Sequence, residues 1–270
     1  MRKSMNLVWS GFLILLALTT ISAGLRISGG VFEADVTPGE HVMHEISIYN
    51  TSSPANFTVM IDGLSQQSNG GTIDVKPDQD TSPYSARSFL TVSPSKFHLE
   101  PGASQTVKVE GDIPNNISGG RYAMVSIRSG VVGKMAIGQN VVGFAVGSNV
   151  PVRLTVSNTN LLQTGKITEL KVDEPISARQ QNISLNFTNT GNYHLSGLAK
   201  AELKDANGNL ISNASTPLSG NIYPTFSNLF MFSLVPVNKL KPGTYDLNAT
   251  VNLEDGTVLA SKEKSFVIKS

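Results

Sequence analysis

A chain of 270 residues that is 40% hydrophobic and 15% charged, with no cysteine, can build one large or two ordinary cores but cannot staple them with disulfides. Two of its 21 basic residues, Arg2 and Lys3, lie in an N-terminal leader, and without them 19 bases face 20 acids. That balance leaves no electrostatic footprint for nucleic acid or an anionic membrane, and the absence of Cys removes a thiolate nucleophile, a Cys metal site and a lipid-modified Cys anchor.

The chain opens with Met1-Arg2-Lys3, an apolar run from Leu7 to Leu18, and small residues through Ser22-Ala23-Gly24. This is the pattern of a secretory signal, so residues 1–24 are expected to be a signal peptide and the mature chain to be secreted, extracellular or cell-surface associated. An apolar core of about twelve residues is short of the roughly twenty that span a bilayer, so membrane attachment would come only through an uncleaved leader.

Beyond the leader, apolar and polar residues alternate with period two. Ile183, Leu185 and Phe187 alternate with Asn182, Ser184, Asn186 and Thr188; Tyr245 to Leu253 alternate in the same way. Asn207-Gly208 and Asp255-Gly256 are hairpin signals. Val36-Thr37-Pro38-Gly39, Leu99-Glu100-Pro101-Gly102 and Leu240-Lys241-Pro242-Gly243 each precede a strand, with Pro setting φ and Gly supplying positive φ. The fold class is therefore all-β, with two tandem immunoglobulin-like β-sandwich domains at 25–156 and 157–270, divided at Ser157-Asn158-Thr159-Asn160. The last strand is expected to close the chain at Phe266-Val267-Ile268.

Two stretches depart from a plain sandwich. Leu64 to Ser88 is polar and long for a loop. Gly130 to Val150 scatters five glycines among Val, Ala, Met135, Ile137 and Phe144, interrupted by Lys134, Gln139 and Asn140, and reads as a hairpin turning near Gly138-Gln139-Asn140. Its flat apolar ribbon offers candidate partner-binding residues Val131, Val132, Met135, Ile137 and Phe144. Tyr223, beside Pro224, is expected to be an exposed aromatic, whereas Phe230 and Phe232 share an inward parity.

Seven Asn-x-Ser/Thr sequons, at Asn50, Asn56, Asn116, Asn182, Asn186, Asn213 and Asn248, are glycosylation candidates. No catalytic, cofactor or metal site is expected. His41 and His44 sit three apart and so point to opposite faces of a strand, and Asp74, Asp78 and Asp80 read as a solvated loop rather than a Ca²⁺ site. No Gly-x-Ser-x-Gly elbow or phosphate loop occurs, so the chain reads as a non-enzymatic surface or envelope-associated binding protein with a protein or cell-envelope polymer as partner, the alternatives being a chaperone for surface fibres or a structural envelope-layer component.

The run Val92-Ser93-Pro94-Ser95-Lys96-Phe97-His98-Leu99-Glu100-Pro101-Gly102, with the strand to Val109 and then Gly119-Gly120-Arg121-Tyr122, resembles the first domain of bacterial WxL-interacting surface proteins. It is also similar to the N-terminal domain of periplasmic pilus chaperones. Phe187-Thr188-Asn189-Thr190-Gly191-Asn192, Glu202-Leu203-Lys204-Asp205 and Lys241-Pro242-Gly243-Thr244-Tyr245 resemble the second domain of the WxL-interacting type. The first likeness implies an envelope protein that binds wall polymer and a partner protein. The second implies donation of a strand to an incomplete subunit whose C-terminus is anchored by a basic pair, for which Arg121 and Arg153 are the candidates.

Overall fold

The computed structural model describes residues 24–137, 140–173 and 176–269, so the leader lies outside the described residues. Period-two patterning becomes strands throughout: β1 (Leu25–Ser28), β2 (Phe32–Val36), β3 (His41–Asn50), β4 (Ala55–Gln66), β5 (Thr72–Val75), β6 (Leu90–Ser93), β7 (Lys96–Leu99), β8 (Ser104–Asp112), β9 (Gly119–Ile137) and β10 (Asn140–Val156). After them come β11 (Gly165–Val172), β12 (Gln181–Asn189), β13 (Leu198–Asp205), β14 (Leu210–Ser215), β15 (Ser227–Leu234), β16 (Gly243–Asn252) and β17 (Val258–Ile268). The only helical turn among the described residues is a 3-10 turn at Arg87–Phe89.

In the first sandwich a sheet ordered β1-β3-β8-β6 faces one ordered β2-β10-β9-β4-β5, with β7 also on β4. Ile46, Ile48 and Val107 from one sheet meet Phe57, Val125, Ile127 and Leu154 from the other in a single core. In the second, β11-β12-β15 faces β14-β13-β16-β17 over Ile183, Leu185, Phe187, Leu203 and Leu247. Each such side chain contributes roughly 1.5–3 kcal/mol by leaving water, and these two interiors replace the missing disulfides.

Both sandwiches close one end with the same asparagine corner. Asn50, 1% exposed at the end of β3, donates through Nδ2 to the carbonyls of Ser53 and Leu99 and accepts at Oδ1 from the Ser52 N–H. Asn189, 0% exposed at the end of β12, donates to the carbonyls of Tyr193 and Ile222 and accepts from the Gly191 N–H. Backbone bonds repeat as well: Asn50 N–H to Ala103 and Gly102 N–H to Asn50 match Asn189 N–H to Phe226 and Thr225 N–H to Asn189. Ile222-Tyr223-Pro224-Thr225 is thus the counterpart of Leu99-Glu100-Pro101-Gly102, and Thr225 takes φ +73° where Gly102 takes +82°.

The long polar stretch after Leu64 has a structural reason. The β4–β5 hairpin reaches the second sandwich, where Gln66 donates through Nε2 to the Asn221 carbonyl at 2.6 Å and accepts from the Tyr223 N–H at 3.1 Å. Ser68 accepts from the Leu229 N–H on β15 at 2.7 Å, and Gly120 donates to the Asn192 carbonyl at 2.8 Å. Leu64, Tyr122, Met124 and Tyr223 form a small third core at this junction, with Tyr84 and Phe226 packed on it. The two sandwiches are held together by several directional bonds around an aromatic plug.

Candidate partner-binding edge

The inner ends of the long strands β9 and β10 line the core. Ala123, Val125 and Ile127 of β9 and Val150, Val152, Leu154 and Val156 of β10 point inward, and they account for the alternation there. On β9 the last partner from β4 is Phe57 opposite Ser129; on β10 the parallel partner β2 covers only Val152 to Val156. From Gly130 to Ile137 and from Asn140 to Ala145, among the described residues, β9 and β10 pair only with each other. The outer edge of β10 from Asn140 to Pro151 therefore pairs with no strand among the described residues. A row of unpaired backbone N–H and C=O groups is a template for another strand, and a two-stranded ribbon alone is only marginally stable in water.

The ribbon leaves the sandwich at a bulge. Register slips between Phe144 and Gly147, where the Val146 N–H donates to Ser129 Oγ at 2.8 Å. Arg128 braces this base: Nη1 donates to the carbonyls of Ile127 and Ser148, and Nη2 pairs with Asp74 at 3.0 Å. Asn149 Nδ2 also donates to Asp74, at 2.8 Å. Burial works against ionisation of Asp74, yet the hydrogen bond from Asn149 and the nearby Arg128 hold its carboxyl below the usual range. A shallow groove lined by Arg128, Ser129 and Ala145 to Asn149 runs beside the bulge.

The expected partner residues fall on this ribbon with one exception. Val131 is 63% exposed on β9; Val132, Met135 and Ile137 continue the same strand, and Met135 lies opposite Val142 and Gly133 opposite Phe144 in the register. Strand ends at Ile137 and Asn140 flank the expected turn. Tyr223 is the exception. Instead of being exposed it is 3% accessible, its ring centroid 4.8 Å from that of Tyr122 in an edge arrangement, because the corner it occupies is covered by the other sandwich.

Among the sequons Asn50 also needs correction: its amide is spent on the corner, so it is a structural residue and not an acceptor site. Asn56, Asn116, Asn182 and Asn213 are exposed, and Asn186 and Asn248 are half-buried. Arg121 and Arg153 are not brought together. Arg121 lies opposite Leu154, on the core side of the sheet, whereas Arg153 lies opposite Tyr122 on the junction side. Arg153 pairs with Glu33, whose carboxyl that guanidinium hydrogen bond holds below its ordinary range. Asp74 and Asp80 have separate partners, and no group of three or more metal-ligating acids, histidines or cysteines occurs among the described residues.

Sequence reasoning missed the junction residues Gln66, Ser68, Tyr84, Tyr122 and His194. His194, 8% exposed between Tyr122, Tyr193 and Tyr223, has its pKa pushed down to about 4 by burial.

No family model matches the chain and no curated protein matches it, so the WxL-interacting likeness finds no support there. Solved structures with a similar outline include a chaperone–tip adhesin complex of CFA/I fimbriae biogenesis, at 14% identity and TM-score 0.45, covering 87% of this chain and 97% of that one. The class 5 fimbriae chaperone CfaA is similar at 12% identity and TM-score 0.43, covering 92% and 99%. The Salmonella enterica SafA pilin–SafB chaperone complex is similar at 14% identity and TM-score 0.39, covering 91% and 96%. All three are distant.

Proposed function

We propose that this chain is an exported, non-enzymatic envelope protein that captures an extended segment of another protein by taking it as a strand along the outer edge of β10. Its two domains, divided near residue 156, act as one rigid holder. The observation that carries the reading is the unpaired edge of β10 from Asn140 to Pro151, in line with β2, which already occupies the same edge further along. An incoming segment would extend the six-stranded sheet where β2 leaves off, with backbone bonds supplying affinity.

This geometry favours the assembly-chaperone form of the reading over recognition of wall polymer. A polysaccharide has no amide ladder with which to complete a sheet edge, whereas an incomplete β-subunit does. The shallow, open groove at the ribbon base likewise gives a sugar ring little to be enclosed by.

The test is amide hydrogen exchange on the mature chain, alone and with the protein that co-purifies from the native envelope. The outward-facing backbone amides of 140–150, those not bonded to β9, should exchange quickly in the free chain and become protected in the complex. Protection elsewhere, with those amides still exchanging freely, would overturn the assignment.

A further inference from the structure

The β4–β5 hairpin leaves the sheet part-way along β4. From Phe57 to Asp62, β4 lies against β9; from Gly63 to Gln66 it pairs only with β5. The length of β9 that β4 gives up is taken by the segment 84–86, where the Tyr84 carbonyl accepts from the Tyr122 N–H at 2.8 Å and the Ala86 N–H donates to the Tyr122 carbonyl at 2.7 Å. Beyond Asp62 the hairpin is a two-stranded unit that pairs with no third strand among the described residues. A unit of that kind is marginal by itself and opens locally unless its side chains and turn are held.

It is held at two places. On β5, Asp74 pairs with Arg128 Nη2 at 3.0 Å and accepts from Asn149 Nδ2 at 2.8 Å. Asn149 belongs to the open edge of β10, and Arg128 also donates to the Ser148 carbonyl of the same strand. Toward the tip, Gln66 donates to the Asn221 carbonyl at 2.6 Å and accepts from the Tyr223 N–H at 3.1 Å, while the Ser68 carbonyl accepts from the Leu229 N–H at 2.7 Å. Asp74 lies opposite Leu64 and Thr72 opposite Gln66 in the register. The two holds are therefore two residues apart along one hairpin, roughly 7 Å, and neither can shift without pulling on the other.

We propose that the β4–β5 hairpin couples the open edge of β10 to the junction between the sandwiches. A strand taken along the edge steadies Asn149, and through Asp74 it steadies the grip of Gln66 and Ser68 on the second sandwich. This regulation rests on the reading of that edge as the capture site, and by linkage a firmly closed junction in turn readies the edge. Gly120 reaches the Asn192 carbonyl, and Tyr122 reaches His194, directly from β9, so these junction bonds stand outside the relay.

The experiment is amide hydrogen exchange on the mature chain and on Asp74→Ala, first without a partner. Removing the ion pair and the hydrogen bond at Asp74 should speed exchange of the Tyr223 and Leu229 amides about tenfold, while the Gly120 amide keeps its rate. Unaltered rates at Tyr223 and Leu229, or a Gly120 amide that speeds with them in a general loosening, would each overturn the coupling. If the alanine variant does not fold, Asp74→Asn, which keeps an acceptor for Asn149 and removes only the charge facing Arg128, is read in the same way with a smaller factor expected. With the co-purifying envelope protein bound, the Tyr223 and Leu229 amides should slow in the unaltered chain and not in Asp74→Ala. Protection of the β10 edge without that slowing would overturn the coupling and leave capture standing. An edge that stays unprotected would overturn capture, and the rates in the free chain would then decide by themselves whether the hairpin links the two places.

Discussion

The hydroxyl of Tyr122 is held by both ends of His194: it accepts the backbone N–H of that residue at 2.9 Å and shares a hydrogen bond with ring Nδ1 at 3.1 Å. Burial holds the pKa of His194 down to about 4, so the imidazole is neutral near pH 7. Glu33 and Arg153 are the charges facing it, and Tyr193 and Tyr223 complete its walls. A single phenol thus joins the two sandwiches through a group that titrates.

Acid should loosen this junction. The unfolded chain takes up a proton on His194 near pH 6.5 and the folded chain only near about 4, so between these values the unfolded state binds more protons and stability falls as pH falls. The loss is full below about 4 and amounts to at most about 3 kcal/mol. Urea unfolding from pH 7.5 to 4 should show this slope, and His194→Asn, which keeps an acceptor near Nδ1, should flatten it. An unchanged slope in the variant would count against the assignment.

The asparagine corners should be sensitive to a change of one atom. Asn50→Asp or Asn189→Asp replaces an amide that donates to two carbonyls by a carboxylate that repels them, at a cost of about 3 kcal/mol each. Denaturant midpoints measure it; a loss under about 0.5 kcal/mol, typical of a surface site, would contradict the corner role.

Thr225 is a stabilisation target. A β-branched residue at positive φ is strained, and the equivalent corner of the first sandwich uses Gly102. Thr225→Gly should raise stability by about 1 kcal/mol, and Gly102→Thr should lower it by a similar amount. Both are read from thermal midpoints, with opposite signs expected.

Removing residues 131–142 should separate folding from recognition. These residues pair only within the β9–β10 ribbon among the described strands, so the melting midpoint should stay within the error expected of about 0.5 kcal/mol while the partner is no longer retained on affinity purification. A collapse of the fold would show that the ribbon belongs to the core.

Much of this architecture was legible in the alternation and turn residues. Phe230 and Phe232 face inward as their parity demands, and each of the three Pro-Gly phrases precedes its strand. A fourth corner was hidden because Thr225 stands where the pattern expects Gly, and with it the reason Tyr223 is buried. Asn50 reads as a sequon for a related reason: an exposed acceptor and a buried hydrogen-bonding corner have the same three letters, and only the distant carbonyl of Leu99 distinguishes them. The polar run after Leu64 looks like an idle loop until the second sandwich supplies Asn221 and Tyr223 as its partners. Contacts between domains leave no periodicity in a local window, whereas strands do.

The corner asparagines also bear on how the protein ages. Deamidation attacks Asn-Gly bonds fastest, and the chain places Asn207-Gly208 in an exposed hairpin turn where an added charge is harmless. At Asn50 and Asn189 the next residue is threonine and the amide is locked in place, which slows the same chemistry at two positions where it would break a corner.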